Sequence, residues 1–237
     1  MRDSTMPWYL WHTWRRSPQE RELERLITTG FKRFGYSRAQ ERAAAEDWLA
    51  AWHLFTAMLT PDIRAVPAFY HAHPKVRIDL EHWLMHLDMV LHNAGREEAH
   101  YHTERLRVSR EYQRLFPEMD SNTRVHICRA EGEALWDLER QAEAEAVYHQ
   151  LVVTLPDQAW GYIGWADQYT LFRDRAQDYA RAETLLKAAL SRPSLDDRPS
   201  VLERLIDLYD AWDRPEDILP LEQELTALRG PPRGGAP

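Results

Sequence analysis

The sequence is poor in features that would place the protein outside the cell or in a membrane. It holds a single cysteine, Cys128, so no disulfide can form within the chain. No run approaches the ~20 consecutive apolar residues that a membrane-spanning helix needs. The first sixteen residues also lack the apolar core of a signal peptide. We therefore expect a cytoplasmic protein with no membrane partner.

Glycine and strand-like patterns are scarce as well. Nine glycines make up about 4% of the chain, against ~7% in average proteins. Long alternations of apolar and polar residues, which are typical of half-buried strands, are missing. Hydrophobic residues account for 44% of the chain and charged residues for 29%, as in folded globular proteins. This composition favours an all-α fold.

Clustered positive charge is also lacking. The formal net charge is −8, and the segment from Asp196 to Glu224 carries ten acids against three bases. Because nucleic-acid binding needs clustered cations, we expect no nucleic-acid partner. The acidic segment is either a solvated face that keeps the molecule soluble or a patch for a basic partner.

Helical periodicity runs through most of the chain and is punctuated by capping residues, glycine and proline. Capping boxes are expected at Ser17/Glu20 and at Ser200/Glu203, and Pro220 should bend or break the last helix. It predicts about five antiparallel helical hairpins in a row, stacked as an α-α superhelix with one concave face open. Residues 1–117 would form N-terminal hairpins behind a tryptophan-rich start, residues 118–229 three further hairpins, and residues 230–237 a disordered tail. The expected helices cover residues 17–35, 37–59, 75–94, 96–116, 121–139, 141–154, 199–212 and 215–228, with a short helix in 61–74 and two helices in 157–193.

The start of the chain carries tryptophans three residues apart. Trp8, Trp11 and Trp14 would line one side of a short helix that also contains Tyr9. We interpret the segment as a lid over the first helix pair. A membrane-interface anchor is the alternative, because arginines follow at positions 15 and 16.

Residues 157–193 form the clearest pair of helices. Asp157 is the expected N-cap of the first, and Asp178 lies near the start of the second. Trp160, Ile163 and Gly164 recur at helical spacing on the face expected to be buried. Apolar and small residues repeat in the same way on the second helix, which a proline follows. The small residues Gly164, Ala182 and Ala189 would let the two helix backbones approach closely. The positions expected to have a structural role in this helix pair are Trp160, Ile163, Gly164, Tyr179, Ala182, Leu186, Ala189 and, after the end of the second helix, Pro193.

These eight residues stand in the order of the tetratricopeptide repeat, which the segment resembles. Asp167 stands where that family has an aromatic residue, and the first helix is about six residues longer than in the ~34-residue repeat. The resemblance implies a stacked-hairpin scaffold that binds a protein or peptide, without a cofactor. The stretch WGYIGWADQY also resembles the helical part of bacterial proteins that end in a cysteine-rich zinc knuckle. This chain has no knuckle, so that metal chemistry is not carried over.

The residues that helical geometry turns away from Trp160 are aromatic, polar or glycine. Aromatic residues and arginine are common anchors of binding surfaces, so this stripe predicts a peptide-binding groove. The alternative is that another part of the chain covers it. The stripe comprises Gly161, Trp165, Gln168, Tyr169, Phe172 and Arg173.

Eleven histidines suggest a metal-binding alternative. Asp79, His82 and His86 lie three or four residues apart on one helix flank, and such a pair of histidines can bind zinc. Glu97 or His100 on the return helix would complete the site. No nucleophile elbow, phosphate loop or dinucleotide fingerprint is present. We therefore predict a non-catalytic scaffold that binds a protein or peptide and needs no cofactor, and leave its oligomeric state open.

Overall fold

The structure is a computed structural model that describes residues 16–170 and 177–229. Our predictions for Trp8, Tyr9, Trp11, Trp14, Phe172, Arg173 and the tail at 230–237 lie outside these residues. Within the described ranges the regular elements are helices and no strand occurs. The all-α prediction is therefore confirmed.

Eleven α-helices and two 3-10 turns make up the regular structure of the described residues. The 3-10 turns are Asp167–Tyr169 and Pro215–Asp217. The helices are α1 Pro18–Arg33, α2 Arg38–Ala57, α3 Val66–Ala72, α4 Leu80–Gly95, α5 His100–Leu115, α6 Ser121–Asp137, α7 Gln141–Thr154, α8 Ala159–Ala166, α9 Tyr179–Leu190, α10 Arg198–Ala211 and α11 Ile218–Arg229.

The chain divides into two compact units between Asp120 and Ser121. In the first unit, α2 packs against both α1 and α4, and α5 packs against α4. Gly35 has a φ of +83°, a left-handed conformation that glycine adopts easily, and it lies in the turn between α1 and α2. The largest fully buried side chains of this unit are Trp48, Trp52, Phe55, Phe69, Trp83 and Phe116.

Close packing of α1 on α2 depends on a glycine beneath a tryptophan. The Trp48 indole lies so near Gly30 that a β-carbon at position 30 would collide with it. The Trp48 Nε1–H donates to the Ile27 carbonyl oxygen at 3.0 Å, which satisfies the polar atom of a fully buried ring. The predicted capping box also forms, because Ser17 and Glu20 exchange hydrogen bonds of 3.0 and 2.6 Å at the start of α1.

In the second unit each helix packs against the next one along the chain, from α6 to α11. Helix α8 is the exception in having more neighbours, since α6, α7, α9 and α10 all contact it. Its eight residues include Ala159, Ile163 and Ala166, each 1% exposed or less. This helix is therefore the centre of the unit's core.

Helix starts in the second unit differ from the sequence prediction. Asp157 is not the N-cap of α8, which begins at Ala159 after Gln158. The cap of α10 is Asp197, whose carboxylate accepts from the Ser200 amide at 3.3 Å, and not Ser200 itself. Pro220 does not break the last helix, because α11 begins at Ile218 and a proline in the first turn lacks only an amide that would be unpaired there.

Helix α8 is also shorter than predicted, because it ends at Ala166 and a 3-10 turn follows. Asp167, which stands in that turn, forms an ion pair with Arg204 of α10, with Oδ1 and Nε 3.2 Å apart. A carboxylate that loses contact with water needs such a partner.

Candidate functional site

The predicted outward-facing stripe on α8 is wrong where the structure describes it. Trp165 is 5% exposed and Gln168 4% exposed, Gly161 is buried, and Tyr169 is half-buried. Four neighbouring helices surround α8, so this helix has almost no solvent-facing side. The remaining residues of the stripe, Phe172 and Arg173, lie outside the described ranges.

Trp165 instead joins α7, α8 and α9 in the core. Its Nε1–H donates to Glu145 Oε1 at 3.0 Å, and its ring stacks on Tyr148 with centroids 6.2 Å apart. Arg181 of α9 lies over the same ring at 5.6 Å. The hydroxyl of Tyr169 also donates to Glu145, and burial together with this carboxylate raises the pKa of Tyr169 to about 12. Trp165 and Tyr169 are thus structural residues.

Most positions predicted to be packed are packed. Ile163, Ala182, Leu186 and Ala189 are each 1% exposed or less. Tyr179 is half-buried and stacks on Trp212 at 5.7 Å, while the exposed Pro193 follows the end of α9.

Two of the predicted structural positions have different surroundings from those expected. Trp160 is not in the core, since it is 39% exposed. Gly164 faces the side chain of Arg129 and not the backbone of a partner helix.

The predicted metal ligands do not form a metal site. Asp79 is the N-cap of α4 and accepts from the His82 amide at 2.9 Å. His82 and His86 contact each other with ring centroids 4.2 Å apart, and His82 stacks on Phe31 at 5.3 Å.

The other two candidates make unrelated contacts. Glu97 pairs with Arg38 at 3.0 Å, and the His100 ring lies 3.9 Å from that of Tyr101. In the part of the chain that the structure describes, no group of three or more His, Cys, Asp or Glu residues is arranged to hold a metal ion.

A cleft of about 400 Å³ opens in the second unit where Trp160 reaches the surface. Helix α6 forms one wall, the start of α8 forms the second, and the loop before α10 forms the third. The residues lining this Trp160 cleft are Asn122, Val125, His126, Arg129, Gln158, Trp160, Asp196 and Asp197.

The Trp160 ring is held in place from two sides. Its Nε1–H donates to Asp197 Oδ2 at 3.1 Å, and the guanidinium carbon of Arg129 lies 5.2 Å from the ring centroid. An arginine at this distance over an indole face makes a favourable cation–π interaction. The ring is therefore both exposed and fixed in orientation.

Arg129 reaches the ring across Gly164. A β-carbon at position 164 would lie 3.0 Å from Cγ and Cδ of Arg129 and closer still to Nε. The Nε atom is buried, and no acceptor for it occurs among the described residues. Glu133, one turn further along α6, forms an ion pair with Arg129, and its Oε1 lies 3.6 Å from Nη2, which is beyond hydrogen-bonding distance.

The two aspartates of the cleft also hold helix ends. Asp196 Oδ1 accepts from the Ala159 amide at 2.8 Å and so caps α8, whose own N-cap residue makes no side-chain bond. Asp197 caps α10 with one oxygen and holds Trp160 with the other. The sequence contains a signal for Asp197 as a helix cap, because a proline, which is common in the first turn of a helix, follows two residues later. Nothing in the sequence links Asp196 to α8.

The first unit has a cleft of about 350 Å³ whose lining lacks an aromatic side chain. Two of the arginines that line it are already paired, Arg38 with Glu97 at 3.0 Å and Arg42 with Glu98 at 2.6 Å. These carboxylates occupy the donors that a ligand would need. The Trp160 cleft is the stronger candidate.

Comparisons with protein-family models, with curated proteins and with solved structures find no match for this chain. No helix in the described ranges combines the length and apolar character that crossing a membrane requires. The candidate site therefore stands on its own geometry.

Proposed function

We propose that this protein is a non-catalytic cytoplasmic scaffold that binds a peptide or protein segment in the Trp160 cleft. The observation that carries the proposal is the half-exposed, oriented indole of Trp160 at the mouth of that cleft. Tryptophan and arginine are over-represented among the residues that dominate binding energy, and both are present here. The volume of about 400 Å³ is within the range of ligand-binding clefts.

The packing of consecutive helices in the second unit supports this proposal. Helices α6 to α11 pack each on the next, as successive hairpins of a tetratricopeptide-like array would. We include that repeat architecture in the proposal, on the residues of 157–193 that resemble the family. The binding residues, however, are Trp160 and its neighbours and not the buried Trp165.

The expected strength of the Trp160 contact follows from its exposed area. A tryptophan side chain buries up to ~250 Å², so covering the exposed 39% would remove roughly 100 Å² of surface from water. At about 25 cal/mol per Å² this contributes about 2.5 kcal/mol, or roughly 60-fold in affinity. Removing the ring should therefore weaken a ligand by one to two orders of magnitude.

The test is affinity selection of peptides on the full-length chain, followed by titration of a selected peptide against variants. We expect Trp160→Ala to lose roughly 60-fold in affinity. Trp212→Ala is a matched control, because Trp212 is also half-buried beneath an arginine, Arg214, but lies outside the cleft. Equal affinity of wild type and Trp160→Ala for every selected peptide would refute the proposal.

A further inference from the structure

We infer that the Trp160 cleft takes an extended peptide in which an apolar side chain is flanked by lysine or arginine. In this arrangement Arg129 donates to a main-chain carbonyl of the peptide, and the apolar side chain covers the Trp160 ring. The inference rests on the proposed function and adds the chemical class of the partner. It follows from three observations: the hydrogen-bond donors of Arg129, the negative charges around this arginine, and the side-chain amides of Asn122 and Gln158.

The guanidinium of Arg129 has hydrogen-bonding capacity left over. Its buried Nε–H has no acceptor among the described residues, and Nη2 forms only a long ion pair with Glu133, with Nη2 and Oε1 3.6 Å apart. Gly164 and Trp160 fix its position, so a ligand does not have to order a flexible side chain. About 23% of the side chain remains exposed, which gives a ligand access to it. The site is therefore prepared for a group that supplies oxygen acceptors.

The surroundings favour a neutral acceptor over an anion. Asp196 and Asp197 line the same cleft, and an anionic ligand group would lie beside both carboxylates. Residues 121–237 contain 13 bases and 21 acids, which places the whole net charge of −8 on this half of the sequence. Because the Debye length is about 8 Å at physiological salt, the charges of the cleft itself matter most. A main-chain carbonyl satisfies Arg129 without adding negative charge.

The same charges favour basic residues beside the anchor. One oxygen of Asp196 caps α8, while the other has no partner among the described residues, and the residue is exposed. A lysine or arginine of the ligand can pair with that oxygen at the rim. Complementary charge of this kind adds mainly to specificity and association rate, and the ring contact adds the affinity.

Two side-chain amides suit a peptide backbone. Asn122 on α6 and Gln158 before α8 both line the cleft. Each carries a donor and an acceptor, and neither side chain makes a hydrogen bond within the described ranges. An extended strand passing Trp160 offers the matching main-chain groups on both sides of its anchor residue.

The test uses synthetic peptide libraries on the immobilised full-length chain. Each peptide has one randomised apolar or aromatic centre, and both ends are blocked by acetyl and amide groups. Three libraries carry lysine and arginine, aspartate and glutamate, or serine and glycine at the flanking positions. A fourth repeats the basic library with a free C-terminal carboxylate. We expect the blocked basic library to be retained at least ten-fold better than the acidic one, and the free carboxylate to add nothing.

Variants separate the inference from the proposed function. Arg129→Met keeps much of the side-chain volume but no donors, and should weaken a selected basic peptide at least ten-fold. Arg140→Met is the control, because Arg140 pairs with Glu143 at 2.7 Å at the start of α7, and it does not line the cleft. Circular dichroism checks that both variants are folded.

Each other outcome is decisive. Selection of acidic peptides, or a need for the free carboxylate, would make Arg129 an anion receptor and overturn the inference while leaving the proposed function intact. Retention of basic peptides that Arg129→Met does not weaken would overturn the role of Arg129. Retention of no library, or retention that Trp160→Ala leaves unchanged, would overturn both proposals.

Discussion

Arg129 of α6 and Gly164 of α8 are in contact, although they are 35 positions apart. The aliphatic stem of Arg129 occupies the space of the missing side chain, with Cγ and Cδ 3.0 Å from the place a β-carbon would take. This contact positions the guanidinium over the Trp160 ring, with the guanidinium carbon 5.2 Å from the ring centroid. Gly164 thus belongs to the candidate site, although it reads as a helix-packing glycine in the sequence.

We therefore predict that Gly164→Ala moves Arg129 off Trp160 without unfolding the protein. Alanine favours a helix over glycine by about 1 kcal/mol, which offsets part of the clash. The measurement is the NMR signal of the Trp160 indole N–H, assigned by its loss in Trp160→Phe. Gly161→Ala is the control, because its β-carbon would meet Leu151 at an ordinary 3.4 Å. The same signal position in wild type and Gly164→Ala would contradict the role of Gly164.

The second prediction contrasts the two tryptophans of α8. Trp165→Ala should destabilise the protein by about 3–5 kcal/mol, because it leaves a cavity in the core. It also removes a donor from Glu145. Trp160→Ala should cost much less, since the ring is already 39% exposed. Urea unfolding of the two variants checks this, and equal losses of stability would show that Trp160 is a core residue.

Trp160 and Trp165 show which features of the fold can be predicted from the sequence and which cannot. The helical periodicity of the apolar residues, together with the capping residues, predicts the all-α fold. It also predicts that Ile163 of α8 and Ala182 and Leu186 of α9 are buried. Periodicity within one helix says which residues share a side, but it does not say how many sides are covered. Helix α8 is covered by four helices, so both of its expected faces are mostly buried, and Trp160 at its first turn is exposed.

The candidate site could not be predicted from the sequence, for a related physical reason. It is assembled from α6, the start of α8 and the loop before α10, and its contacts join residues about 35 positions apart. A single sequence contains no signal for such pairs. Arg129 does not belong to any local sequence motif. Asp196 lies in an acidic segment whose sequence indicates only its charge.

The third prediction concerns the cap of α8. Asp196→Ala should destabilise the protein by about 1 kcal/mol, because the Ala159 amide loses its acceptor. Asp157→Ala is the informative comparison, since Asp157 is the residue that sequence rules would choose as the cap. It forms a half-exposed ion pair with Arg192 at 3.3 Å, and pairs of this kind contribute about 0–1 kcal/mol. A larger loss for Asp157→Ala than for Asp196→Ala in urea unfolding would reverse this assignment.

The fourth prediction is a pH dependence of the first unit that arises at Glu20. Burial raises the pKa of this carboxyl, but hydrogen bonds from the Ser17 amide and from His73 outweigh it and leave the pKa below its usual value of 4.5. A lowered pKa in the folded state means that the ionised carboxylate stabilises the fold. This contribution is complete above the pKa of the unfolded state and is lost as pH falls through the lower folded value.

Glu20→Gln removes that titration, so the stability difference between wild type and variant should shrink as pH falls below about 4.5. Urea midpoints at several pH values between about 6 and 3 measure it. Glu22→Gln is the control on the same helix, because its partner Arg25 also lowers the pKa of Glu22 but both side chains are exposed. Solvent screens that pair, and its removal should change the pH profile less. A difference for Glu20→Gln that stays constant across this range would show that the carboxylate charge does not stabilise the capping box.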